Sequence, residues 1–279
     1  MLLAACLTLA AVVPSATAAE RVSLPCVPSG PNATGPHAKD FCWIDWSNLP
    51  LRDGTTPVRI GVRGGHVDAD LTLTHSANSV WMTRDYSGQD RTFQFTPAYA
   101  LAGAKTALGF GANGPGRADR SASVTFTDIS AVPDGERDVL KDFRMAFADA
   151  EVMSGAQDGS GYERTDLTSD KPLESLGWVG DDDPAHSYQE TFSGLGTTHV
   201  TLAGGGTVVS PGGNYADSAG ALVAGAKEPK TFTVDFRQVN GESGLESAIA
   251  VGVYMPYLTP YPLVYDANGG VGTLPEQKD

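Results

Sequence analysis

Asp149 and Glu151 lie two residues apart at the end of an apolar stretch, so in a strand both carboxylates leave on the same face. Two carboxylates facing each other across a cleft are the equipment of a glycoside hydrolase, one serving as acid and the other as base or nucleophile. The same spacing suits a solvated strand end, a carboxylate anchoring a loop through its backbone N–H groups, or a pair of oxygen ligands for a cation. Asp181, Asp182 and Asp183, followed by Pro184, are further candidate oxygen ligands, suited to calcium as a hard cation. Three adjacent carboxylates cannot all face one ion, and the Asp-x-Asp-x-Asp-Gly spacing of a calcium loop is missing. An exposed acidic turn is therefore the expectation, and no cofactor is assigned, with calcium as the one candidate.

Other catalytic patterns are missing. No Gly-x-Ser-x-Gly elbow occurs, Gly241-Glu242-Ser243-Gly244 being only a near miss, and no His-Glu-x-x-His. The five histidines, His37, His66, His75, His186 and His199, are scattered singly. The aromatic residues that could stack on a sugar ring are Trp43, Trp46, Trp81, Trp178 and the group Tyr254, Tyr257, Tyr261 and Tyr265. For each of them burial is the plainer reading. In a strand, Trp43 and Trp46 point to opposite sides, so only one of the two needs to be core.

The elements that must position these residues are strands. Thirty-three glycines and 18 prolines punctuate the chain at short intervals, and the segments between them are rich in Val, Thr, Phe and Tyr. Over residues 67–75, Val67, Ala69, Leu71 and Leu73 alternate with Asp68, Asp70, Thr72 and Thr74, which predicts a strand with one buried and one wet face. Further strands are predicted over 58–62, 92–96, 122–129, 142–148, 188–192, 199–203, 231–239 and 248–255. The apolar faces Phe143/Met145/Phe147, Phe232/Val234/Phe236 and Ile249/Val251/Val253 need a second sheet to cover them, so a sandwich follows. Residues 97–105 and 133–141 offer a helical turn or two. The polar stretch 155–184 reads as a long loop with short paired pieces.

Residues 1–19 combine an apolar run with the small residues Ala16, Thr17, Ala18 and Ala19, the pattern of a secretory leader, although the first basic residue is Arg21. Leu3-Ala4-Ala5-Cys6 offers the alternative of lipid anchoring at Cys6. With Cys6 removed, Cys26 and Cys42 form an even pair in an oxidising compartment, and a disulfide is expected between them. No apolar run long enough to span a bilayer follows. The chain divides into the leader, a Pro/Gly-rich segment over 20–40, one sandwich domain over 41–265 and a tail over 266–279. With 33 acidic against 19 basic residues the net charge is −14, which argues against nucleic acid as a partner.

Three segments together resemble the non-repetitive, lectin-like domain of the CshA/CshB family of fibrillar adhesins. They are Phe41-Cys42-Trp43-Ile44-Asp45-Trp46-Ser47, then Phe147-Ala148-Asp149-Ala150-Glu151, and Ala248-Ile249-Ala250-Val251-Gly252-Val253. The resemblance spans roughly 41–255. It implies an all-β fold, a large β-sandwich of lectin-like jelly-roll outline with long loops. It also implies display on a Gram-positive cell surface, a host or partner-cell glycan or glycoprotein as ligand, and no catalytic residues. Trp43 and Ile44 are then strand core, Asp45 bonds backbone, and Asp149 with Glu151 anchors a loop. Leu274-Pro275-Glu276-Gln277 is not the Leu-Pro-x-Thr-Gly wall-sorting sequence. The leading expectation is an extracellular binding module, acting through loops at one end or across one sheet face, with the ligand-binding residues and oligomeric state open. The alternatives are a secreted hydrolase using Asp149 and Glu151, and a structural surface protein that self-associates.

Overall fold

The structure, a computed structural model, describes residues 20–85, 98–101, 103–114, 116–135, 140–150, 162–180, 188–204, 219–241 and 246–256. In chain order the strands are β1 (Val22–Pro28), β2 (Phe41–Ile44), β3 (Gly54–Val62), β4 (Gly65–His75), β5 (Ser79–Arg84), β6 (Ala107–Ala112), β7 (Ala118–Pro133) and β8 (Arg144–Asp149). They continue with β9 (Tyr162–Ser169), β10 (Leu173–Gly180), β11 (Tyr188–Ser193), β12 (His199–Gly204), β13 (Ala219–Lys227), β14 (Phe232–Gly241) and β15 (Glu246–Tyr254). The expected all-β sandwich is what forms.

One sheet runs β1-β3-β4-β7-β14-β9-β12-β11. The other runs β10-β13-β8-β15, where the far edge of β15 is bordered by β6 along residues 246–249 and by β2 along 252–254, and β6 leads on to β5. Two strands belong to both sheets. Residues 22–25 of β1 lie parallel to β3, and residues 26–28 turn to pair antiparallel with β2. The turnover falls at Pro25, a residue with no N–H to give to a ladder. β11 does the same, pairing with β12 over 190–193 and with β13 over 188–189.

Period-two alternation builds the main core. Val67, Ala69, Leu71 and Leu73 of β4 and Phe232, Val234 and Phe236 of β14 share one buried cluster with Met145 and Phe147 of β8 and Ile249, Val251 and Val253 of β15. Each of these side chains larger than alanine contributes roughly 1.5–3 kcal/mol by leaving water.

The second sheet is buried on its outer face as well, which the alternation argument did not foresee. Between the inward residues, Ala146, Ala148, Ala248, Ala250, Val223, Phe41 and Trp43 form a second cluster with Tyr99 and Leu101. The cover is backbone-bonded: the amides of Gly30 and of Thr34 and Gly35 donate to the carbonyls of Tyr99 and Ala98. The requirement for close approach explains two glycines. A Cβ at Gly252 would stand 2.7 Å from the Trp43 ring, and one at Gly35 would stand 2.9 Å from the Tyr99 ring. Hence Trp43 and Trp46 are both fully buried, one under this cover and the other in the main core, where its Nε1 donates to the Thr106 carbonyl at 3.1 Å. The two do not share a strand: Trp43 lies in β2 and packs under the outer cover, whereas Trp46 opens a 3-10 turn over Trp46–Asn48 that turns its ring into the main core.

Other departures have physical reasons. Within 155–184, the described residues form two full strands, β9 and β10, rather than a loop. The inward positions of β9 are Glu163, Thr165, Leu167 and Ser169, so its buried face is mostly polar and carries little apolar alternation. β10 contains a bulge between Ser175 and Gly177 that breaks the period. The Pro/Gly-rich segment over 20–40 supplies β1, a strand shared by both sheets. The Cys26–Cys42 disulfide is present and ties β1 to β2. The predicted strand over 92–96, the leader with Cys6, and the tail over 266–279 lie outside the described residues. Among the described residues, no helix is long and apolar enough to cross a membrane.

Candidate functional site

Asp149 ends β8 opposite Ile249 of β15 and is 4% exposed, so it is part of the interior rather than of a cleft. It shares the wall of a cavity of about 10 Å³ with Glu163 and Ser247. A space of that size has room for no more than about one water. Glu163 belongs to a polar bridge between the sheets. Gln238 Nε2 donates to Glu163 Oε1 at 3.2 Å and to Ser247 Oγ at 2.9 Å, Ser247 Oγ donates to Glu163, and Arg120 Nη1 donates to Gln238 Oε1 at 3.4 Å. All four residues are buried. A buried network of this kind specifies how the sheets seat on one another.

Glu151, Asp181, Asp182 and Asp183 lie outside the described residues, as do His186, Tyr257, Tyr261 and Tyr265. Among the described residues, no group of three or more His, Cys, Asp or Glu gathers in a metal-holding arrangement. Asp45 bonds as a local cap, its Oδ1 accepting from the Ser47 amide at 2.9 Å. Of the aromatic candidates, Trp43, Trp46 and Trp81 are buried, while Trp178 and Tyr254 are partly exposed. Phe192, 44% exposed, was not among them. It lies 6.2 Å from the Trp178 ring, bringing β10 and β11 residues together as a small apolar patch.

The outer face of the first sheet is a polar array set by register. Thr55, Thr72, Thr125, Thr233 and Thr168 stand opposite one another across β3, β4, β7, β14 and β9. Their hydroxyls bond across the strands, at 2.8 Å for Thr55 and Thr72 and 3.2 Å for Thr233 and Thr125. Two residues along β9, Asp166 accepts from Arg164 through both oxygens, from Thr201 at 2.7 Å and from His199 at 3.0 Å.

Burial pushes the Asp166 carboxyl up, but the hydrogen bonds from Arg164, Thr201 and His199 and the Arg164 charge outweigh it and bring it down from 3.8 to about 2. A carboxyl lowered on folding stabilises the fold above its unfolded value, and that contribution disappears as pH falls through the folded value. Asp166→Asn should therefore lower the melting temperature at pH 7, and the gap to the parent should close between about pH 4 and pH 2. Thermal melts at the two extremes check this; an unchanged gap at pH 2 would contradict it.

Two concavities open to solvent among the described residues. One, of about 540 Å³, lies on the first sheet beside Ser121, Ser123, Asp235 and Arg237. The other, of about 760 Å³, lies at one end of the sandwich, where the β7–β8, β9–β10 and β13–β14 connections meet. Its floor is Ile129, Leu140 and Phe143, and lysines stand around it. Neither could be inferred from spacing, because each assembles side chains from segments far apart in the chain.

No family model matches the chain, and no curated protein matches it. Among solved structures, the chain is similar to the N-terminal domain of the Streptococcus gordonii adhesin Sgo0707, with a TM-score of 0.36 and 12% sequence identity. That likeness is faint and covers 76% of this chain and 50% of the other, so the chain spans half the length of the protein it matches.

Proposed function

We propose that the chain is an exported, adhesin-like binding module that holds a surface glycan or glycoprotein and returns it unchanged. The observation that carries this reading is the burial of Asp149. The described half of the carboxylate pair best spaced for glycoside hydrolysis faces a cavity the size of a water molecule. A hydrolase must bring both carboxyl groups to the scissile bond. A binder needs only a fixed surface with donors and acceptors in place, and the open concavities and the cross-strand threonine row supply one. Export is supported by the leader-like residues 1–19 and by the disulfide between Cys26 and Cys42. The adhesin character is supported by the three segments over 41–47, 147–151 and 248–253.

The test is an array of neutral and acidic glycans, run beside capture of the whole chain on immobilised extracellular-matrix proteins. Retention on at least one glycan class or matrix glycoprotein is the expected result. Silence on every surface would sink the proposal.

A further inference from the structure

We infer that the groove at the end of the sandwich is a binding site for an acidic glycan, whose carboxylate or sulfate groups meet a set of lysine ammonium groups. The inference deepens the binding reading above and rests on it. The chain has only seven lysines at a net charge of −14, and four of them, Lys141, Lys171, Lys227 and Lys230, line this one groove. They come from three separate connections, so sequence proximity does not explain the gathering, apart from the pair at 227 and 230. In so acidic a protein, a local cluster of cations is a place where anions are selectively held.

Among the described residues, four carboxylates at this end hold bonds within the fold. Asp142 pairs with Lys227 at 2.5 Å, and Glu174 pairs with Arg144. Glu228 accepts the Asp142 amide at 2.8 Å, and Asp170 accepts the amides of Lys230 and Thr231 at 2.8 and 3.0 Å. Lys230 Nζ donates to the Ile129 carbonyl at 3.2 Å, which leaves the rest of its ammonium donors for a ligand. Among the described residues, Lys141 and Lys171 make no ion pair, and both are exposed. The groove thus gathers four ammonium groups, with Asp142, Asp170, Glu174 and Glu228 held in place beside them by these bonds.

The same hydrogen bonds favour a glycan over a peptide. A peptide in an extended conformation is held through main-chain hydrogen bonds. Here the amides of Asp142, Lys230 and Thr231 are taken by carboxylates, those of Phe143, Glu228 and Ile129 by carbonyls, and that of Lys171 by the Ser169 hydroxyl at 3.2 Å. What remains for recognition is side chains: ammonium groups, and the apolar surfaces of Pro133, Pro172 and Pro229 on which the faces of sugar rings pack. Asp142 and Glu228 hold a left-handed backbone in these connections, at φ 61° and 44°.

The test is calorimetric titration of the whole chain with a hyaluronan oligosaccharide, its carboxyl-reduced counterpart, a heparin fragment and poly-glutamate. Saturable binding of hyaluronan or heparin is expected, hyaluronan marking carboxylate as the anion and heparin sulfate. Any hyaluronan binding should weaken at least tenfold on carboxyl reduction. Lys141→Ala/Lys171→Ala should weaken acidic-glycan binding at least tenfold with an unchanged melting temperature, because neither side chain makes an ion pair in the fold. Lys141→Gln/Lys171→Gln should weaken it as much if charge is what matters.

Failure of both acidic glycans to bind, equal affinity for the carboxyl-reduced form, or indifference to the lysine variants would overturn the inference. Preference for poly-glutamate would overturn it in favour of an acidic peptide. Self-association that vanishes in the lysine variants would overturn it in favour of a second copy of this chain. Retention of neutral glycans alone leaves the adhesin-like reading standing and sinks only the groove. No retention on any surface, with no acidic binding, sinks both.

Discussion

Replacing Trp43 with alanine should cost about 3–5 kcal/mol, the range for removing a fully buried large aromatic from a packed site. For a chain of this size that corresponds to a fall in melting temperature of roughly 10 °C. The indole is fully buried, stacks on Phe41 at 5.0 Å with an interplanar angle of 11°, and meets Tyr99 at 5.0 Å. It stands under the cover formed around Gly30, Gly35 and Tyr99, and its neighbour Gly252 has no side chain to fall into the space left behind. The damage should be local first. Amide exchange should accelerate at Gly30, Thr34 and Gly35, whose N–H groups bond to the Ala98 and Tyr99 carbonyls, before it accelerates in β4 and β7. A shift of less than about 2 °C would show that the aromatic cover contributes little to the fold.

Removing the Cys26–Cys42 bond should cost about 3 kcal/mol through the freedom returned to the unfolded chain. The bridge closes a sequence separation of 16 residues and sits where β1 leaves one sheet for the other. Cys26→Ala/Cys42→Ala should therefore melt roughly 6–12 °C below the parent. Reductant should lower the parent by a similar amount and leave the double variant unmoved. A parent whose midpoint stays put once thiol titration shows the bond open would contradict this account.

How far the sequence could be read depended on where its apolar residues fell. β4, β7, β12 and β14 were legible because they have one wet and one dry face, and Val67 to Leu73 is the clearest example. β13 was illegible for the opposite reason. It is built of Ala and Gly flanking Leu222 and Val223, which leaves no apolar alternation to read, and at Gly225 a Cβ would stand 2.6 Å from the Leu176 side chain. β9 was hidden by its polar inward face, the same face that carries Glu163 into the bridge with Gln238 and Ser247. Spacing joined Asp149 to Glu151, which lies outside the described residues; the small cavity adds Glu163 of the next strand and Ser247 of β15, which spacing could not supply. The disulfide was legible because setting Cys6 aside with the leader leaves one pairing of the three cysteines. The lysine groove was not, because its members are drawn together only by three turns meeting at one end.

The most direct test of a module that binds without cleaving is to incubate the whole chain with the glycan it retains and measure saturation and new reducing ends in the same sample. Saturable binding with no reducing ends above the protein-free control is the predicted result, for the parent and for Glu151→Gln alike. Reducing ends that accumulate with time and vanish in Asp149→Asn or Glu151→Gln would show instead a hydrolase whose carboxylates come into reach of the substrate.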